Sequence, residues 1–170
     1  MLKRIIVIGC PGSGKTTFAL KLAEKMDMPL FHLDAIWHRP DKTHIPREEF
    51  DHRLGEILAL DGWIIDGNYQ RTMELRIEVS DTVILFDLPT EASLDGATSR
   101  LGKVRSDMPW IEKELDPSFK AQIEEFGSKN LPLIYSLIDK YKDDREIVVF
   151  KSRDEADRFL ESLTERKYDH

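Results

Sequence analysis

Residues 9–16 read GCPGSGKT, which sets Gly9, Gly14, Lys15 and Thr16 in the register G-x-x-x-x-G-K-[ST]. Glycines let a backbone curl until several N–H groups point inward, and such a concavity holds phosphate oxygens. A β-branched run, KRIIVIG, precedes the loop, and a helical pattern, KTTFALKLAEKM, follows it. The loop therefore opens a helix, whose N-terminal partial charge favours anions. This pattern assigns Gly9, Pro11, Gly12, Ser13, Gly14, Lys15, Thr16 and Thr17 to a nucleoside triphosphate. Lys15 would reach the β and γ phosphates, and the Thr16 hydroxyl would join a Mg²⁺ shell. Cys10 fills a free position of the loop and reads as a small space-filler rather than a nucleophile.

A triphosphate site of this kind needs an acid on a neighbouring strand to steady the magnesium waters. Asp66, which closes the apolar run WIID, has that location. Asp34 and Asp87 also end apolar runs. Asp34 is a candidate to accept from a substrate hydroxyl or to join the magnesium shell, and Asp87, before Leu88 and Pro89, to start a helix. Positive charge gathers at Arg100, Lys103 and Arg105 in RLGKVRSDMP, with Gly102 and Pro109 as loop signals. A short lid at about 100–115 that brings cations to a phosphoryl group and excludes water fits this segment.

These residues need a scaffold. Ala19, Leu22, Ala23 and Met26 form a helical stripe behind the loop. PLFHLD reads as a second strand, WIID as a third, TVILFDL as a fourth and REIVVF as a fifth. Between them, PREEFDHRLGEILAL reads as a helix with Pro46 in its first turn and Phe50, Leu54, Ile57 and Leu58 on one face. Further helices are expected over 90–100, near 116, at Ile134, Leu137, Ile138 and Tyr141, and at DEADRFLESL, where Ser152 and Glu155 are spaced as a capping box. Alternating strands and helices predict an α/β fold with a five-stranded parallel sheet flanked by helices. Ligands of such sheets bind beyond the carboxyl ends of the strands, which singles out Gly9, Asp34, Asp66, Asp87 and Lys151.

The bulk numbers agree with one domain over residues 1–170: 41% hydrophobic, 34% charged, and no repeat or Gly/Ser linker. A net charge of −7 argues against duplex DNA as the main partner. No apolar run approaches a membrane span, and MLKRIIVIG lacks a signal peptide's long apolar stretch, so no membrane partner is expected. The single cysteine suggests a reducing, cytoplasmic setting. His32, His38, His44, His52 and His170 have no zinc-site spacing and read as surface, cap or pocket residues.

Several of these pieces resemble adenylate kinase, in which a strand ends in Asp-Gly-Phe-Pro-Arg-Thr. Here DGNYQRT occupies 66–72, and FDLP follows the next strand. The full length resembles the small bacterial adenylate-kinase-related kinases often labelled DNA topology modulation proteins, through HLD at 32–34, DGNYQRT, RLGKVRSDM at 100–108 and FKSR at 150–153. That resemblance implies a P-loop kinase using ATP and Mg²⁺. It implies that Arg71 grips the acceptor's phosphate, that Arg100 lies near the donor nucleotide, that Arg105 closes on the phosphates and that Lys151 lies beside the adenine. Asp34, Trp37, Asp66, Asn68 and Arg71 then fall to the acceptor, in a helical region at about 34–62.

Two departures stand out. Asp66 and Arg71 are five positions apart where adenylate kinase spaces them by four, and LDAIWH replaces its Thr-Gly-Asp. Trp37 stacks on an acceptor ring or packs against the core. The expectation is a phosphotransferase acting on a nucleotide or nucleotide-like metabolite, monomeric or a weak homodimer. The alternatives are a kinase of a sugar-acid or shikimate-like acceptor and a nucleotide-dependent DNA-associated regulator.

Overall fold

The computed structural model describes residues 2–168; His170 lies outside the described residues. Five parallel strands, β1 (Arg4–Gly9), β2 (Leu30–His32), β3 (Trp63–Asp66), β4 (Thr82–Phe86) and β5 (Glu146–Phe150), line up in the order β2-β3-β1-β4-β5. The chain thus crosses from β2 to β3, passes β1 and continues outward. All five carboxyl ends lie along one edge.

The continuous apolar runs are explained by burial on both faces. Ile6, Ile8, Ile65, Val83 and Leu85 enter one core with Phe50, Leu54, Met73, Ile77, Ile123 and Ile134. Their alternates, Ile5, Val7, Ile64, Ile84 and Phe86, enter a second core with Phe18, Leu22, Phe150 and Leu160. The first core is closed by α3 (Arg47–Leu58), α4 (Gln70–Val79), α6 (Pro117–Lys129) and α7 (Leu131–Tyr141), the second by α1 (Lys15–Met26) and α8 (Arg153–Tyr168). α5 (Thr90–Ser99) runs from β4 toward the lid. No helix among the described residues is long and apolar enough to cross a membrane.

Three local features differ from the sequence expectations. The second strand stops at His32 because its pairing partner stops at Asp66; residues Leu33–Trp37 turn into a short helix, α2, with Asp34 in its first turn. Pro46 precedes α3 rather than lying within it. α4 was not expected: it opens after Tyr69, which has a left-handed backbone (φ 38°) and gives no side-chain cap. Asp116 does cap α6, accepting from the N–H groups of Ser118 and Phe119. At α8, Ser152 Oγ accepts from Glu155 N–H, while Glu155 reaches back to the N–H of Lys151 instead of Ser152.

Candidate active site

The loop expected to cradle phosphate lies between β1 and α1. Gly12 (φ 82°) and Gly14 (φ 101°) take left-handed conformations that a side chain would strain. α5 presses against this loop so closely that a methyl group on Gly96 would lie 1.9 Å from the Gly12 carbonyl oxygen. We predict that Gly96→Ala displaces the loop at a cost of about 1–3 kcal/mol, read as a loss of nucleotide affinity of at least about fivefold in calorimetry. Unchanged affinity would show that α5 yields freely.

Asn68 fixes the loop from the other side. Its Oδ1 accepts from Gly9 N–H at 2.9 Å and its Nδ2 donates to the Gly9 carbonyl at 2.7 Å. Asn68 was expected on the acceptor; it borders that side of the cleft but its amide is spent on the backbone of Gly9. Arg76, which sequence reasoning missed, is fully buried and holds the Asp66–Tyr69 turn by donating to the carbonyls of Gly67, Asn68 and Tyr69. Arg153, also missed, donates to the carbonyls of Gly12 and Ala92 and so ties α8 to the loop and α5. Its signal was present in the FKSR segment.

Two cavities meet over this loop. One, of about 560 Å³, lies between the loop, α5, the lid and Arg153, and is lined by Gly12, Gly14, Lys15, Thr16, Thr17, Leu20, Asp95, Ser99 and Val104 among others. The other, of about 700 Å³, lies beyond β2 and β3 and is lined by Pro11, His32, Asp34, His38, Lys42, Asp66, Asn68, Tyr69, Trp110, Asp116 and Phe119 among others. Lys15, Thr16, Arg100, Arg105 and Asp107 line both. The residues expected to handle phosphate thus form the partition between two ligand-sized spaces.

The cations at that partition are buried to different degrees and partnered unequally. Lys15 Nζ reaches back to the Cys10 carbonyl at 3.3 Å. Burial pushes its ammonium below the usual lysine range, opposed by Asp66 and Asp34. Arg100 is pulled down mainly by burial and further by the neighbouring Arg105, and its Nε is buried without a partner. Arg105 is held by Asp107, with Nε to Oδ1 at 3.0 Å and Nη2 to Oδ2 at 2.6 Å, and by Glu112 at 3.3 Å. Cys10 is buried, which raises its thiol, in keeping with a space-filler.

The carboxylate of Asp66 is buried at the end of β3. Its Oδ2 accepts from Thr16 Oγ1 at 2.8 Å and lies 2.9 Å from His32 Nδ1, while Oδ1 is buried with no partner. Among the described residues no three His, Cys, Asp or Glu side chains converge as a metal cage. A hydroxyl, one carboxylate with an oxygen to spare and an adjoining phosphate cradle suit Mg²⁺, which keeps most of its waters.

Other expected residues lie elsewhere. Arg71 does not line either cavity: it grips Asp51 of α3 through two hydrogen bonds of 2.7 and 3.1 Å, beside a separate small cavity. Trp37 stacks on His44 with ring centroids 4.2 Å apart and meets Phe50 and Tyr69 edge-on, so it packs rather than facing the strand-end cavity. Lys151 pairs with Asp87, which also accepts from Tyr135, and leaves the cleft wall to Arg153. Lys103 is exposed and lines neither cavity. Trp110, unassigned in the sequence, faces the strand-end cavity with Tyr69 and Phe119 and stands edge-on to His38. We predict that Arg71→Ala leaves acceptor KM within about twofold and costs under about 1 kcal/mol, because the pair is exposed. A large rise in KM would return Arg71 to the acceptor.

With that geometry in hand, known structures supply a scaffold. A shikimate kinase from Bacteroides thetaiotaomicron superposes with a TM-score of 0.57 at 16% identity, over 97% of this chain and 98% of that one. A shikimate kinase from Acinetobacter baumannii in complex with shikimate gives 0.57 at 18% identity, over 99% and 97%. A gluconokinase from Sinorhizobium meliloti 1021 gives 0.54 at 15% identity, over 99% and 98%. The chain has their P-loop fold. No protein-family model matches the sequence, and no curated protein matches it. These likenesses leave the resemblance to the DNA topology modulation proteins unconfirmed.

Proposed function

We propose that this protein is an ATP- and Mg²⁺-dependent phosphotransferase acting on a hydroxyl group of a small acceptor. The observation that carries the reading is the shared partition: Lys15, Thr16, Arg100 and Arg105 stand between a cavity at the phosphate loop and a second cavity at the strand ends. A group passed from one space to the other crosses the cations that neutralise it. The solved structures with this fold include kinases of shikimate and gluconate by name, which supports the same chemistry here.

In this reading the triphosphate lies along residues 12–17 with its base toward Leu20 and Val104, two exposed apolar side chains on the rim. Thr16 and Asp66 would hold Mg²⁺, which would neutralise charge on the phosphates when bound. Lys15 and Arg100 stabilise the equatorial oxygens of the moving group. The acceptor oxygen forms the new bond to phosphorus as the bond to the bridging β–γ oxygen breaks and ADP departs. The hydroxyl proton passes to Asp34. That carboxylate faces the strand-end cavity, and its Oδ1 already accepts from Tyr69 at 2.6 Å. Burial and Asp34 raise the Tyr69 phenol, so it stays a donor and keeps the carboxylate in place.

An alcohol acceptor is favoured over a nucleoside monophosphate by the position of Arg71, whose guanidinium is engaged by Asp51 outside the cleft. The monophosphate reading retains one observation in its favour, the unpartnered Nε of Arg100 beside the strand-end cavity. A panel of nucleoside monophosphates, sugar acids and cyclic polyols, assayed by coupled ADP detection with ³¹P NMR of the product, separates the two. The expected product is a phosphate ester of an alcohol; a nucleoside diphosphate as the sole product would reverse the choice.

A further inference from the structure

We propose that His32 is the positioning residue that orients the Asp66 carboxylate for magnesium, and this rests on the phosphotransferase reading above. The backbone register dictates the contact. His32 ends β2 directly opposite Asp66 in β3, and neighbouring strands lie about 4.8 Å apart, within reach of a ring and a carboxylate. Both side chains are buried, and His32 Nδ1 lies 2.9 Å from Asp66 Oδ2. A carboxylate only accepts, so Nδ1 carries the proton and Nε2 is the other ring nitrogen, with no protein partner among the described residues.

Thr16 Oγ1 donates to the same Oδ2 at 2.8 Å. Two donors from different elements therefore converge on one oxygen, and they fix a torsion that is otherwise soft in aspartate. The consequence is a division of labour within the carboxylate. Oδ2 is saturated by the protein, and Oδ1, buried and unpartnered, is the oxygen left to receive a metal-bound water. Thr16 spends its only proton on Asp66, which leaves the oxygen lone pairs for the metal. Remove His32 and a single hydrogen bond from Thr16 remains, about which the carboxylate can turn Oδ1 away. Outer-shell partners of metal sites of this kind are typically worth about 10–100-fold in metal affinity.

The test uses His32→Ala, His32→Asn and His32→Gln in the full chain. Magnesium is titrated by calorimetry into each protein with an imido-bridged, non-hydrolysable ATP analogue, and analogue affinity is measured separately in chelator. His32→Ala should weaken magnesium about tenfold while metal-free nucleotide affinity stays within about twofold, a split that a general loss of structure would not give. His32→Asn, whose amide nitrogen can take the place of Nδ1, should restore most of the affinity. His32→Gln, whose amide lies one bond further out, should not. Unchanged magnesium affinity in His32→Ala, or Asn and Gln variants that behave alike, overturns the inference while the wild-type protein still binds the metal–nucleotide pair. If His32→Ala fails to fold, the Asn–Gln comparison carries the test. A wild-type protein with no metal-dependent binding overturns the phosphotransferase reading and this inference with it.

Discussion

Lys15→Ala should lower turnover by about 10²–10³-fold, the typical loss when one preorganised donor is removed from developing charge. The side chain lines both cavities and, among the described residues, has only the Cys10 carbonyl as a close hydrogen-bond acceptor. Its ammonium is already pushed down by burial, with Asp66 and Asp34 opposing, so an incoming phosphate supplies the anion that burial demands. The thermal midpoint should stay within a few degrees. Lys15→Arg should not rescue, because a planar guanidinium cannot occupy the place of a compact point charge. ADP release by a coupled assay checks the rate, and circular dichroism checks the fold. Near-normal turnover in the alanine variant would remove Lys15 from the chemistry.

Arg76→Met should cost about 3–5 kcal/mol, a large share of the 5–15 kcal/mol that typically stabilises a domain. The methionine fills much of the volume, yet the carbonyls of Gly67, Asn68 and Tyr69 lose their common donor. Those residues cannot pair with one another, since Gly67 (φ 139°) and Tyr69 (φ 38°) turn the chain out of regular structure. Burial already pulls the guanidinium down to about 9, with Asp66 and Tyr69 opposing, so its hydrogen bonds offset a real desolvation cost. Urea unfolding with an unchanged slope and a lower midpoint would measure the loss. The same turn carries Asn68, which pins Gly9, so nucleotide affinity should fall in the folded fraction as well. A loss below about 1 kcal/mol would mean that water satisfies the carbonyls.

The phosphate loop and all five strands were legible because each is a local signal, although the second strand ends two residues earlier than read. Fixed glycines mark the loop, and unbroken β-branched runs mark strands buried on both faces. What the sequence could not display is pairing across the sheet. His32 reads as one more strand residue, and only its register opposite Asp66 brings the ring against that carboxylate. α4 was hidden because its buried face includes Thr72 and Arg76, which interrupt the apolar period. Arg71 was assigned from a motif in which the acid and the arginine stand one residue closer. On a helix each residue turns about 100°, so one extra position carries the guanidinium to the outer face, where Asp51 of α3 meets it. In the same way, Arg153 replaces Lys151 on the cleft wall because Lys151 is drawn to Asp87.

Calorimetry with the non-hydrolysable ATP analogue, in the presence and absence of Mg²⁺, bears most directly on the claim that this cleft gathers a metal-bound triphosphate at Lys15, Thr16 and Asp66. The predicted result is saturable binding that strengthens with Mg²⁺, and loses that strengthening in Asp66→Ala. A folded wild-type protein that releases no heat, or binds equally well with the metal chelated, would contradict it.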